Sequence, residues 1–351
     1  MVADPANPLA RDLDEVLETM GSLWDDLRGA RIFITGGTGF FGCWLLETLL
    51  WANDRLDLGA FAVVLTRNAA AFRRKAAHLT EHAAVTLHTG DVRDFVFPAG
   101  RFTHVIQAAS DPGPVITRLD RQRQFDTIVS GTARCLCLAS DAGVSRFLVT
   151  SSGAVYGEQP ADLEHMPESY SGAPEPTKRS STYGEAKRAA ELLCAIHAGD
   201  KLQPTIARCF AFCGPYLPLN SNFAVGNFVG DALNGGPIRV TGDGSPRRSY
   251  LYGSDLARWL WTILLRGDAL RPYNVGSEQA LSILEIAGRV AHAAGLGNCV
   301  QVTGASRLGT PPSRYVPSTR RAQDELGLTE SVHLDEALRR SLAWHRERSA
   351  A

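Results

Sequence analysis

The fold of this chain is decided near its beginning by the stretch Ile32-Phe33-Ile34-Thr35-Gly36-Gly37-Thr38-Gly39-Phe40-Phe41-Gly42. An apolar run leads into a glycine-rich turn, and the turn leads into an apolar helical pattern at residues 43–50. The stretch therefore predicts a strand, a tight turn and a helix. In such a unit Gly36 allows the chain to turn, Gly39 leaves room against the backbone, and Gly42 lets the helix pack on the strand.

The helix after this turn would begin with unpaired backbone amides and the positive end of its dipole. Because both attract phosphate, we expect a dinucleotide to bind here, at Gly36, Thr38, Gly39, Phe40, Phe41 and Gly42. A glycine triplet alone is weak evidence, since many glycine-rich turns only connect elements. The strand before it and the helix after it favour the dinucleotide interpretation.

Strand-like and helical segments alternate through the first 209 residues. The predicted strands are 31–35, 61–66, 85–89, 103–107, 146–150 and 204–209, and the predicted helices are 40–53, 68–79, 118–142 and 182–198. This alternation predicts an α/β fold of Rossmann type, with a doubly wound parallel sheet.

The remaining segments complete a predicted domain organisation. Residues 1–30 form an N-terminal helical extension, and residues 31–209 form a dinucleotide-binding domain to which residues 250–276 return. Prolines and glycines become frequent after residue 210, which is typical of a loop-rich part. Residues 210–249 and 277–351 are therefore expected to form a smaller substrate-binding lobe.

Composition argues against several classes of function. Charged residues make up 21% of the chain and the formal net charge is -1, so we expect neither a nucleic acid nor a membrane surface as partner. The apolar run 259–265 is too short to cross a bilayer, and the first residues lack the pattern of a secretion signal. The seven cysteines lack metal-site spacing, which indicates reduced thiols, no metal site and a cytoplasmic location.

The ends of the next strands suggest how the rest of the cofactor is held. Arg67 follows the second strand, where a carboxylate would favour NAD, so its guanidinium favours the 2′-phosphate of NADP. Asp91 and Val92 follow the third strand, where the carboxylate could accept the adenine amino group. Ala108 and Ala109 follow the fourth strand and would let the backbone pass close to the cofactor. We therefore expect NADP(H) rather than NAD(H).

A second motif, Tyr183-Gly184-Glu185-Ala186-Lys187, carries the predicted chemistry. Residues four apart on a helix project from one face, so Tyr183 and Lys187 lie together. A tyrosine has an ordinary pKa of about 10, and a nearby cation lowers it by favouring the phenolate. Tyr183 can then remove an alcohol proton while hydride leaves for a nicotinamide. Lys187 can also hold the nicotinamide ribose, and Ser152 can orient the same substrate oxygen.

Together these motifs resemble the extended short-chain dehydrogenase/reductases of the nucleotide-sugar NAD(P)-dependent epimerase/dehydratase family. The resemblance covers roughly residues 30–345 and includes Gly90-Asp91, Ser151-Ser152-x-x-Val155-Tyr156-Gly157, Arg208-x-Phe210, Arg248-x-Tyr250 and Tyr273-Asn274-Val275-Gly276. It implies a nucleotide-diphosphate sugar as substrate. It also implies substrate contacts for Ser152, Asn222 and Arg248, with Arg307 or Arg314 as a second cation.

Two departures from the family pattern bear on the reaction. Members that dehydrate the sugar carry two carboxyl residues where this chain has Gly153 and Ala154, and decarboxylating members keep a glutamate there. Glycine and alanine cannot exchange protons, so the resemblance does not imply dehydration or decarboxylation. Ala211 also replaces a frequent asparagine, which removes one polar contact to the nucleotide sugar.

The resemblance implies a nucleotide-sugar 4-epimerase, in which Tyr183 and the cofactor oxidise C4 and hydride returns to the other face. An NADPH-dependent 4-ketoreductase of a 4-keto-6-deoxy nucleotide sugar is the alternative, and a non-catalytic dinucleotide sensor is a remote one. By analogy with the family we expect a homodimer. The helices 118–142 and 182–198 would pair through apolar residues outside their main face, which are Leu136, Leu138, Leu192, Leu193 and Ile196.

Overall fold

A computed structural model describes residues 7–110, 117–221, 223–305 and 312–350. Its centre is a seven-stranded sheet in the order β11-β6-β5-β4-β1-β2-β3, in which every neighbouring pair is parallel. The strands are β1 (Arg31–Thr35), β2 (Phe61–Thr66), β3 (Val85–Thr89), β4 (His104–Gln107), β5 (Arg146–Ser152), β6 (Gln203–Cys209) and β11 (Pro272–Val275). The sheet has the predicted doubly wound topology, with its order reversing between β1 and β4.

The described helices cover both faces of this sheet and build the second lobe. They are α1 (Ala10–Met20), α2 (Phe40–Leu56), α3 (Ala69–Lys75), α4 (Ala77–Thr80), α5 (Arg118–Ala142), α6 (Thr182–His197), α7 (Ala224–Leu233), α8 (Gly253–Arg266), α9 (Ile283–Ala294), α10 (Arg320–Leu326) and α11 (Leu334–Ala350), with 3-10 turns at Gly21–Leu27, Gly153–Tyr156 and Arg179–Ser181.

Local sequence explains where the longest helix begins and ends. Thr117 and Asp120 form a capping box at the start of α5, and Gly143 ends it in the left-handed conformation. The two faces of the sheet bury separate apolar clusters, and Leu136 and Leu138 lie inside one of them at 0% and 2% exposure. They are therefore core residues, which corrects the expectation that they lie on an outer face of α5.

Short strands lie outside the main sheet, in the part of the chain that follows β6. They are β7 (Phe212–Cys213), β8 (Ile238–Val240), β9 (Arg247–Arg248), β10 (Leu251–Tyr252), β12 (Leu281–Ser282), β13 (Val300–Val302) and β14 (Arg314–Tyr315). They form three small sheets, β10-β7, β12-β9-β14 and β13-β8. In the middle one Tyr315 lies opposite Arg248, so two distant segments of the chain meet beside the carboxyl end of β5.

The helices differ from the sequence-based expectation in two ways. The predicted helix 68–79 is two helices, α3 and α4, because Ala76 leaves the helical conformation between them, with φ -150° and ψ 67°. Neither proline nor glycine marks this break. The predicted helices also end at residue 198, so they omit α7 to α11; in α8 even the polar residues Asp255 and Arg258 are buried, as an ion pair.

The N-terminal helix is tied to both lobes. Asp12 of α1 is buried, and its carboxylate accepts hydrogen bonds from the hydroxyl of Tyr252, at 2.8 Å, and from the guanidinium of Arg340 in α11. Burial raises the pKa of Asp12, while Arg340 and Tyr252 act in the opposite direction. These contacts fix the extension against the back of the molecule.

Candidate active site

The glycine-rich turn lies at the point where the order of the sheet reverses. Gly36 has a φ of +68°, and a Cβ placed on it would come within 2.5 Å of the carbonyl oxygen of Ala108. A Cβ on Gly42 would stand 2.2 Å from the Cα of Gly37. Both positions therefore need glycine, one for its conformation and both for close backbone contact.

Thr35 joins the ends of β1 and β4. Its hydroxyl oxygen accepts hydrogen bonds from the backbone amides of Ala108, at 3.2 Å, and Ala109, at 3.1 Å, and its proton is donated to the side chain of Gln107. The sequence motif contained Thr35, but its role as a clamp needed the sheet order to be seen. It keeps the two predicted cofactor-binding segments side by side.

The start of α2 fits the phosphates of a dinucleotide. Its N-cap residue is Gly39, which provides no side chain to cap the first amides, those of Phe40, Phe41 and Gly42. Unpaired amides at a helix N-terminus bind anions. Nearby, Lys75 donates a hydrogen bond from its Nζ to the carbonyl oxygen of Thr38, at 2.7 Å, which fixes the turn.

The residues predicted for the adenosine end have mixed environments. Arg67 is exposed just beyond β2. The Asp91 carboxylate already accepts hydrogen bonds from Arg93, at 2.8 Å from Nε and 3.0 Å from the backbone amide. These bonds hold the pKa of Asp91 below its ordinary value, and the charge of Arg67 adds to the effect. The side chain of Val92 is buried in the core beneath α5, so its backbone is the part left to meet a ligand.

Ser152, Tyr183 and Lys187 meet at the carboxyl end of β5. Lys187 is 4% exposed; its Nζ lies 5.8 Å from the centre of the Tyr183 ring and donates to the carbonyl oxygen of Thr150 at 2.5 Å. Ser152 ends β5, and its side chain interacts with that of Tyr183, which lowers the pKa of the phenol. The structure thus brings together all three residues that the sequence predicts for proton transfer.

Burial sets the pKa values of this group before any ligand arrives. It raises the pKa of Tyr183 to about 12, while the hydrogen bond with Ser152 acts in the opposite direction. It lowers the pKa of Lys187 to about 8. Tyr183 is therefore neutral in the ligand-free site at neutral pH. A positive charge, such as an oxidised nicotinamide carries, would favour its phenolate.

A further hydroxyl group, which the sequence interpretation missed, lies in the same place. The Tyr315 hydroxyl is 3.2 Å from Oγ of Ser152 and 3.4 Å from the carbonyl oxygen of Cys209. Its ring packs against Phe210, with 4.6 Å between ring centroids. Burial raises the pKa of Tyr315 above its ordinary value. Tyr315 belongs to a two-residue strand after the sequence motifs, so no periodic pattern marked it.

Gly153 explains how Tyr315 comes so close. A Cβ on residue 153 would stand 2.8 Å from the Tyr315 hydroxyl and 2.7 Å from the Phe210 ring. The space into which a side chain at this position would project is thus filled by two aromatic residues. The neighbouring Ala154 ends in a methyl group, which cannot move a proton.

The predicted phosphate-binding arginines lie on adjacent strands, Arg248 in β9 and Arg314 in β14. The register pairs Arg248 with Tyr315 and Arg314 with Arg247, so the side chains of Arg248 and Arg314 lie on opposite faces of this sheet. Arg248 is half-buried, its guanidinium lies 5.9 Å from the Tyr315 ring, and burial lowers its pKa. Arg314 donates to the carbonyl oxygen of Glu164 at 3.3 Å. Asn222 and Arg307 lie outside the described residues.

The family model of the NAD dependent epimerase/dehydratase family matches residues 32–276 of this chain. The chain belongs to this family. A UDP-glucuronic acid decarboxylase from Arabidopsis thaliana is 30% identical over 321 residues, which are 91% of this chain and 70% of the relative. A similar decarboxylase from Xenopus tropicalis is 29% identical over 90% of this chain and 72% of its own.

Solved structures of similar fold are also found. A dTDP-glucose 4,6-dehydratase from Streptomyces venezuelae, with NAD bound, has a TM-score of 0.75 and 27% identity, covering 91% of this chain and 98% of its own. A UDP-glucose 4-epimerase from Thermotoga maritima has a TM-score of 0.76 at 21% identity, covering 91% and 99%, and shows the fold alone.

Within the four described ranges there is no group of three or more histidine, cysteine, aspartate or glutamate side chains placed to hold a metal ion. Across the same residues, none of the helices combines the length and apolar character that crossing a membrane requires.

Proposed function

We propose that this protein is an NAD(P)-dependent nucleotide-sugar 4-epimerase. One observation carries the choice within the family: the space beside residue 153, from which a dehydratase carboxyl would project, is filled by Phe210 and Tyr315. The proton-transfer group of Ser152, Tyr183 and Lys187 is complete. A site that has this group and lacks the extra carboxyl groups supports oxidation and re-reduction at one carbon.

The residues of the chain would divide the work as follows. Tyr183, once ionised, takes the proton of the C4 hydroxyl and later returns it to the ketone oxygen. Ser152 holds that oxygen in line, and Lys187 stabilises the phenolate and holds the nicotinamide ribose. When bound, the nicotinamide would supply the acceptor and donor of hydride that oxidation and re-reduction at C4 require.

The nucleotide diphosphate would bind between the two lobes that we assign. Residues 31–209 and 250–276 form the cofactor domain, and residues 210–249 and 277–351 form the substrate lobe. Arg248 is half-buried beside Tyr315, so its guanidinium can reach a diphosphate next to the reacting sugar. Arg314, Arg307 and Asn222 are proposed as further contacts to the same group.

NADP(H) is our proposed cofactor in preference to NAD(H). Arg67 stands exposed at the end of β2, where it can pair with a 2′-phosphate. The same residue supports the alternative function, an NADPH-dependent 4-ketoreductase of a 4-keto-6-deoxy nucleotide sugar, because NADPH is the usual reductant in biosynthesis. A dinucleotide sensor is less well supported, since the proton-transfer group is intact.

Cofactor demand separates these functions. The nucleotides that the purified protein releases are identified first. The protein is then incubated with UDP- and dTDP-hexoses and, separately, with a 4-keto-6-deoxy sugar nucleotide. We expect sugars to interconvert over many turnovers with no net change in NADPH absorbance. Consumption of one NADPH for each product formed, with the keto sugar alone, would overturn the epimerase assignment in favour of the reductase. No turnover, with intact cofactor binding, would favour the sensor.

We further propose a cytoplasmic homodimer. The seven cysteines are free thiols and most are buried, which suits a reducing compartment.

Helices α5 and α6 pack together, and Leu192 and Ile196 of α6 are 62% and 66% exposed, one turn apart. The pair Leu192→Gln and Ile196→Gln should give a monomer in light scattering, while Leu284→Gln, at another exposed leucine, should not. A wild-type monomer would refute the dimer.

A further inference from the structure

Ser152 stands between two phenols. Its hydroxyl oxygen lies 3.2 Å from that of Tyr315, and its interaction with Tyr183 lowers the pKa of that phenol. The backbone amide of Ala154 donates to the same oxygen at 3.2 Å. A serine hydroxyl has one proton to donate and two lone pairs to accept with. It can therefore donate to only one of the two tyrosines at a time.

The direction of these bonds depends on the charge of Tyr183. When Tyr183 is neutral, it can donate to Ser152, Ser152 to Tyr315, and Tyr315 to the carbonyl oxygen of Cys209, 3.4 Å away. When Tyr183 is a phenolate it can only accept, so Ser152 must turn its proton toward it. Tyr315 can then donate to the lone pair that Ser152 presents. The carbonyl oxygen of Cys209 cannot take up a proton. Ionisation of Tyr183 therefore reorients these hydrogen bonds and moves no proton through Tyr315.

We infer that Tyr315 is a positioning residue for proton transfer, whose hydroxyl donates to Ser152 and so directs the single Ser152 proton onto Tyr183. The inference rests on the proposed function only in taking Tyr183 as the group that ionises. Hydrogen bonds to a charged oxygen are stronger than those between neutral groups, so this arrangement favours the phenolate.

The surroundings of Tyr315 agree with a fixed hydroxyl. Its ring is held against Phe210, at 4.6 Å between centroids, and its strand pairs with that of Arg248. Gly153 leaves the space that the hydroxyl needs, because any Cβ there would approach it to 2.8 Å. Gly153 and Tyr315 thus form a matched pair, in which the missing side chain of one makes room for the other.

Direct titration of Tyr183 tests this inference without requiring turnover. The protein is labelled with carbon-13 at Cζ of tyrosine and saturated with NADP⁺ or NAD⁺, and the Tyr183 signal is assigned by its absence in Tyr183→Phe. In Tyr315→Phe the ring and its packing remain and one hydroxyl is lost. We expect the pKa of Tyr183 to rise by about one unit. Tyr273→Phe, the same change at a buried tyrosine bonded to Glu325, should leave the pKa unchanged.

Kinetics give the second readout. With a turned-over sugar nucleotide, Tyr315→Phe should shift the acid limb of the kcat profile upward by the same amount and leave KM nearly unchanged. An unchanged Tyr183 titration, whatever the activity, would overturn the inference. A shifted titration in a protein that turns over no sugar nucleotide would support the inference and refute the proposed function, so the two failures are distinguishable.

Discussion

The cofactor turn and the cluster of hydroxyl side chains in the active site are built by opposite means. The turn, residues 36–42 with Ala108 and Ala109, is backbone packed on backbone within a few ångströms. The hydroxyl cluster consists of three side chains, those of Ser152, Tyr183 and Tyr315. Ser152 and Tyr315 are 163 residues apart in sequence. Steric rules therefore govern substitutions in the first region, and proton and charge chemistry governs the second.

A single methyl group should break the first region. Gly42→Ala would place a Cβ 2.2 Å from Cα of Gly37 and 2.5 Å from the Gly36 oxygen, both backbone atoms that cannot move aside. We expect a loss of about 3 kcal/mol or more in the free energy of unfolding, with cofactor binding lost, measured by urea denaturation and calorimetry. Gly288→Ala, on α9 with no atom within 4 Å of the new Cβ, should instead stabilise by about 0.5–1 kcal/mol. Equal effects would show that packing at the turn is not tight.

Removing Arg248, which lies half-buried beside the second region, should weaken substrate binding. Arg248→Ala leaves a substrate diphosphate without its guanidinium partner, so KM should rise by the equivalent of about 2–3 kcal/mol, with a smaller change in kcat. Arg248→Lys should recover part of the loss, because it restores the charge without the planar fork. Steady-state kinetics with the active sugar nucleotide measure both. An unchanged KM in Arg248→Ala would remove the diphosphate assignment.

The buried lysine sharpens the contrast, because it is present for chemistry at a cost in stability. The pKa of Lys187 is about 8, against an ordinary 10.5, so below pH 8 both folded and unfolded chains are protonated and the full cost of burial is present. Between these values the unfolded chain holds more protons, so stability rises with pH. Lys187→Met should remove this cost and stabilise the cofactor-free protein at neutral pH by about 2 kcal/mol, after loss of the bond to Thr150.

This gain should shrink above pH 8 and vanish near pH 10.5 in denaturant titrations of the two proteins. The exposed Lys178→Met should show no such pattern. Both cofactor binding and turnover should fall in Lys187→Met, because the lysine serves ribose and tyrosine together. A destabilised Lys187→Met at neutral pH would contradict the burial argument.

The smallest effect is expected where the cofactor region meets solvent. Arg67→Asp should shift the ratio of NADP to NAD affinity by about tenfold toward NAD, since it exchanges a phosphate partner for a ribose acceptor. Isothermal titration with each dinucleotide measures the ratio, and Arg101→Asp, at an exposed residue just before the amino end of β4, serves as control. Tighter binding of NAD than NADP by the wild-type protein would make the interpretation of Arg67 wrong.

Sequence predicted what is local and missed what is distant. Six strands of the main sheet and the turn between β1 and α2 followed from apolar runs and glycines, and Tyr183 with Lys187 followed from helical spacing. Tyr315 could not be found, because its two-residue strand has no period and its contact with Ser152 arises only when β14 pairs with β9. Helices α7 to α11 follow residue 210, where frequent prolines and glycines indicated loops, and the break at Ala76 has neither residue to mark it.

The most direct test of the central claim asks whether binding and proton transfer separate as the two regions do. Cofactor affinity and single-turnover hydride transfer are measured in the wild type and in Tyr183→Phe. This variant removes one hydroxyl from the hydroxyl cluster and leaves the cofactor turn unchanged. The account predicts a cofactor Kd within about threefold of wild type and a rate of hydride transfer reduced by about 10²–10⁴-fold. Full hydride transfer in Tyr183→Phe would contradict it.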